Sequence, residues 1–199
     1  MQARVKALTM MEVLFPRATL VRDVLLVLTF TAITALSAKV AFQIGAVPIT
    51  GQTFAVLLTG ALLGSKRGAL SMITYLAIGA AGMPFWFSPT TAPGIAAFVG
   101  PTAGYLIGFV PAAFVVGLFA EHGWDRRVWT MALAMAMGSI VIYAFGLTWL
   151  HVWLSRFSPE SSALAVGLYP FLAGDAIKVA LASVALPGGW ALMNRMGRR

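Results

Sequence analysis

The chain has no cysteine, two histidines and six acidic residues among 199. Without cysteine there are no disulfides, thiolate-bound metals or thiol nucleophiles. His122 and His151 are too few and too far apart in sequence to form a recognisable metal motif. No Ser-His-Asp set, no H-E-x-x-H and no paired acids occur, so hydrolytic chemistry has little to stand on. The phosphate-cradling G-x-x-x-x-G-K-[ST] is also missing, and Gly64-Ser65-Lys66 lacks its frame. If the protein moves a solute uphill, the energy comes from a partner or an ion gradient. No cofactor is implied. Charge is scarce as well: 10% of residues are charged, where a soluble domain carries about 25%.

What is present is apolar. Hydrophobic residues make up 60% of the chain, which reads as an all-α integral membrane protein in a single domain, residues 1–199. Apolar runs cover residues 24–41, 54–64, 69–81, 105–119, 128–150 and 175–193. The second and third are short, about 16–20 Å as helix. Lys66 and Arg67 between them argue for two spans joined by an inner turn rather than one re-entrant pair. The expected fold is a six-helix transmembrane bundle over 24–193 with ordered outer loops. Residues 1–23 form a cytoplasmic tail and 194–199 a basic one. Eleven of the fourteen Lys and Arg fall before the first run, in alternate loops and after the last run. Inner loops carry such an excess, so both termini are expected in the cytoplasm of a multi-pass protein of the cytoplasmic membrane. The same bias accounts for the net charge of +8 without a nucleic-acid partner; membrane lipid is the partner it implies.

One pair of charges breaks the apolar pattern. In Pro170-Phe171-Leu172-Ala173-Gly174-Asp175-Ala176-Ile177-Lys178 an acid and a base stand three apart, which on a helix puts them on one face. A charge in a bilayer costs roughly 2.5–3.5 kcal/mol on insertion scales. A purely structural ion pair is the weaker explanation, because hydrophobic residues are often as stable in its place. The orientation puts the pair near the outer mouth, under three outer loops. Gly45–Thr53 is rich in glycine and polar side chains. Residues 82–104 carry four prolines, no charge and the run Phe85-Trp86-Phe87, and read as an ordered apolar lid. Asp175 offers an acceptor and Lys178 a cation, which suits a small amphipathic solute with N–H donors and a carboxylate. On the first run, Thr31, Thr34, Ala35 and Ala38 form a small-residue face that permits close helix approach, either within the chain or to a partner.

Four motifs in order carry a family resemblance: Val47-Pro48-Ile49-Thr50-Gly51-Gln52-Thr53, Gly82-Met83-Pro84, Gly100-Pro101-Thr102-Ala103-Gly104-Tyr105-Leu106-Ile107-Gly108-Phe109, and Pro170 to Lys178. Over residues 24–193 the chain resembles the BioY family, the biotin-binding substrate-specificity (S) components of energy-coupling-factor (ECF) vitamin transporters. The resemblance implies biotin as the solute. It implies that Asp175 accepts from the ureido N–H groups and Lys178 meets the valerate carboxylate. Gln52, Thr102, Gly104, Tyr105, Trp86 and Phe87 would form walls and lid. The small-residue face of the first run would dock a transmembrane coupling protein driven by two ATPase subunits, although some members work without them. Ala103 stands where the family usually has glycine, and residues 68–125 hold no Lys or Arg to serve as a second cation. A membrane-embedded enzyme, a purely structural subunit and a carrier of another carboxylated vitamin are the competing readings.

Overall fold

The computed structural model describes residues 8–43, 46–84 and 86–196. Gly45, Phe85 and the basic residues of 1–7 and 197–199, all used above, lie outside the described residues. The chain folds into helices α1 (Met10–Leu14), α2 (Leu20–Ser37), α3 (Gln52–Leu63), α4 (Ser65–Ala80), α5 (Ala103–Glu121), α6 (Val128–Phe157), α7 (Ala163–Gly167) and α8 (Tyr169–Met196). Two three-residue strands, β1 (Ala41–Gln43) and β2 (Pro48–Thr50), pair antiparallel between α2 and α3.

Among the described residues, four helices are long and apolar enough to cross a membrane: α2, α5, α6 and a stretch from Ala163 through α8. The α3 and α4 helices have 12 and 16 residues, about 18 and 24 Å, short of a ~30 Å hydrocarbon core. They fold back on each other at Gly64, whose φ of 84° suits glycine. Gly60 and Gly68, four residues either side, let the two helices and the Ala113 backbone of α5 touch. Glu121, at the end of α5, accepts from the Ser65 N–H at 2.8 Å and its Oγ at 2.9 Å, so a carboxylate from another helix caps α4. Arg67 beside this turn pairs with Glu12 at 3.0 Å and with Asp23 at 3.3 Å.

Several boundaries differ from the sequence expectation. The first span begins at Leu20 and ends at Ser37, with the Thr19 Oγ1 accepting from the Arg22 N–H. Ala41, expected as the end of the first span, instead opens a strand over Ala41–Gln43. The α6 helix runs on through Phe157, because Leu154 stays buried at helical spacing from Leu150. The run expected as the sixth span, from residue 175, lies in a helix that begins at Tyr169, and Pro187 lies within a continuous α8.

The small-residue face of α2, for which packing within the chain and docking to a partner were both open, turns inward. Thr31, Thr34, Ala35 and Ala38 are all buried. Thr31 donates to the Ser71 carbonyl at 2.9 Å, and Ser71 donates back to the Val27 carbonyl at 2.8 Å. The close approach those residues permit serves α4 of the same chain. Val21, Leu25, Leu28 and Leu36 of α2 are exposed instead.

Candidate functional site

A cavity lies where strand β2, the loop between α4 and α5, and helices α3, α5, α6 and α8 converge. Its lining includes Gln52, Phe87, Thr102, Tyr105 and Asp175 from the sequence expectation. Its volume is about 40 Å³, room for a few waters.

Asp175 and Lys178 sit on one face of the first turns of α8 and meet at 3.0 Å, their side chains 13% and 18% exposed. The carboxylate's second oxygen accepts the Tyr143 O–H from α6. The Lys178 ammonium also donates to the Thr50 carbonyl at 3.1 Å and to the Thr53 hydroxyl at 2.8 Å. All three of its donors are therefore engaged, and they clip β2 and the start of α3 to α8. Lys178 is bonded to the cavity's lining without being part of it.

Gln52, at the first position of α3, holds the loop between α4 and α5. Its Nε2 donates to the Tyr75 hydroxyl at 2.7 Å and to the Phe87 carbonyl. Tyr75 donates to the Trp86 carbonyl at 3.3 Å, and the Trp86 indole returns a bond to the Tyr75 carbonyl at 2.8 Å. Phe87 is buried edge-on against Tyr75 and Phe98, with ring centroids 5.4 and 5.6 Å away. Trp86 lies behind this wall, stacked on Tyr75 with centroids 5.8 Å apart, and does not line the cavity.

Tyr105, on α5, stacks on Phe171 of α8 and meets Tyr143 edge-on, each at 6.4 Å. Its O–H donates to the Gly167 carbonyl at 2.8 Å. A side chain at Gly146 would collide with this ring, and one at Gly167 with its hydroxyl and with Leu150, so both glycines make room for Tyr105. Gly104 is likewise a packing residue: a side chain there would run into the backbone and Trp149 of α6. It holds α5 against α6 and does not face the cavity.

Sequence reasoning missed Tyr75, Tyr143 and Ser139. The signal for the tyrosines was modest but real: an aromatic hydroxyl inside an apolar helix needs a partner when buried.

Apolar helices of membrane-crossing length, packed around a polar-rimmed cavity, define a multi-pass membrane protein with a candidate solute site between its helices. The chain belongs to the BioY family, whose model matches residues 4–195. A protein of Rhodobacter capsulatus named biotin transporter BioY is 42% identical over 173 residues, covering 79% of this chain and 87% of that one. A probable biotin transporter BioY of Pyrococcus horikoshii is 39% identical over 163 residues, 82% of this chain and 93% of its own length. The crystal structure of the S-component for biotin from an ECF-type ABC transporter superposes with a TM-score of 0.69 at 24% identity, covering 90% of this chain and 92% of that chain. At that identity the likeness is one of fold.

Proposed function

We propose that this chain binds biotin and carries it across the cytoplasmic membrane as the S component of an ECF-type transporter, with both termini in the cytoplasm. It is a transporter and not an enzyme, a reading supported by the relatives' names and by membership of their family. The α3–α4 hairpin counts as two thin spans, completing six. A coupling protein and two ATPase subunits are its partners in the energised complex.

The observation that carries the site is the Asp175–Lys178 pair at the cavity's rim, joined at 3.0 Å. Asp175 accepts from the ureido N–H groups. Lys178 meets the carboxylate by exchanging one of its present partners, Thr50 or Thr53, for the ligand. Gln52, Thr102, Tyr105 and Phe87 form the walls, while Trp86 and Gly104 support them from behind. Pockets for small ligands hold roughly 300–1,000 Å³, so the walls must part for biotin to be seated. The Lys178 clip and the Gln52 clasp on the lid are the contacts that give way.

Equilibrium binding of biotin to Asp175→Asn and Lys178→Met tests the reading. A charge-assisted hydrogen bond lost at such a site costs about 1.5–3 kcal/mol, roughly ten- to a hundredfold in affinity. Unchanged affinity in both folded variants would remove the pair from the site.

A further inference from the structure

Asp175 borders two voids. One is the cavity described above. The other is an open groove of about 630 Å³ between α6 and α8, lined mainly by apolar side chains. Ser139, Tyr143 and Asp175 line both. The carboxylate therefore stands in a thin partition, and it serves the cavity only if it is held to that side.

Two groups hold it. Lys178 lies on the same helix three residues on, and binds Oδ1 at 3.0 Å. Tyr143 reaches from α6 and donates to Oδ2. Tyr143 thus ties the carboxylate to the helix that supplies Ser139 and Ile142 to the cavity wall. Its own ring rests edge-on against Tyr105 at 6.4 Å, and the Tyr105 hydroxyl is in turn fixed on the Gly167 carbonyl at 2.8 Å. A carboxylate offers about four lone-pair positions. With Lys178 and Tyr143 each taking one, about two remain for a ligand's N–H groups.

We propose that Tyr143 is a positioning residue for ligand recognition. Its hydroxyl orients Asp175 and so sets how strongly the site separates a cyclic urea with two N–H donors from an analogue that has lost one. The proposal rests on Asp175 being the acceptor for those N–H groups.

Tyr143→Phe keeps the ring, the Tyr105 contact and the partition, and removes only the O–H. The probes are biotin and biotin methylated on a ureido nitrogen, titrated against the same purified sample. The expected result is a loss of about tenfold in biotin affinity, with the methylated analogue little changed, so that discrimination narrows about tenfold. Partial misfolding would lower the bound amount of both ligands alike and leave the ratio standing. An unchanged ratio overturns the proposal, whether both affinities fall together or neither does. Asp175→Asn in the same assay separates the two layers. A loss of biotin affinity there, with discrimination intact in Tyr143→Phe, sinks Tyr143's role alone. No loss in Asp175→Asn sinks the acceptor assignment and the proposal with it.

Discussion

An acid stands at each end of α8, half-buried Asp175 on the helix itself and fully buried Asp125 packed against it, and the two have different surroundings. At the start of the helix, Asp175 has a cation and a hydroxyl as partners and a cavity at its side. Near the other end, Asp125, fully buried in the turn before α6, accepts the Trp190 indole N–H at 2.6 Å. Arg126 covers the same indole, 4.6 Å from its centroid. Its neighbour Glu121 is engaged as the cap of α4. Asp125 and Glu121 fasten turns and helix ends and border none of the cavity. The difference between the two acids is therefore not burial but the void beside Asp175.

The sharpest way to break this comparison is to neutralise both ends. Asp175→Asn and Lys178→Met are each expected to lose biotin affinity about ten- to a hundredfold, while Asp125→Asn binds biotin as the parent does. Equal losses at the two ends, measured by equilibrium binding, would erase the distinction. Next in size is the narrowing of ligand discrimination expected in Tyr143→Phe.

A smaller effect concerns pH. Burial pushes the Asp125 carboxyl above the usual carboxylate range, against the opposing pull of the Trp190 N–H and the Arg126 charge. The folded state thus holds this proton more tightly than the unfolded one. The stability it contributes is fully present below the ordinary Asp value, about 3.9, and is lost as pH rises through the raised one. Asp125→Asn should flatten that part of the stability curve while leaving the Trp190 bond an acceptor. Thermal unfolding across the acidic range checks it, and an identical slope in parent and variant would contradict it.

The smallest effect is expected at Glu12. Burial alone would raise its pKa, but hydrogen bonds from the Thr9 N–H and from Arg67, with the Arg67 charge, hold it below the usual value. Its contribution is present above the ordinary Glu range and is lost as pH falls through the lowered value. Glu12→Gln is expected to cost about 0.2–1 kcal/mol in denaturant unfolding, with biotin affinity unchanged.

The parts that were legible in sequence are those with a pattern. Asp175 and Lys178 stood out because two charges three apart interrupt an apolar helix. Gln52 and Thr102 stood out because polar residues near proline and glycine break the apolar runs. Tyr143 was hidden because a single tyrosine in an apolar run has no periodic partner: the acid it meets is on another helix, 32 positions away. The small-residue face of α2 was legible as a close-packing surface, but which helix it approaches depends on tertiary contacts. The β1–β2 pair escaped notice because strands of three residues are too short to show alternation. The end of α6 was misplaced because polar residues from His151 onward occupy its exposed face while Leu154 keeps the buried one.

The most direct measurement is equilibrium binding of labelled biotin to the purified protein in detergent, without partners, with thiamine and riboflavin as controls. Tight binding of biotin and neither control is the predicted result, and it would establish a self-contained site. A folded, monodisperse sample that binds no biotin, or binds all three alike, would contradict the account.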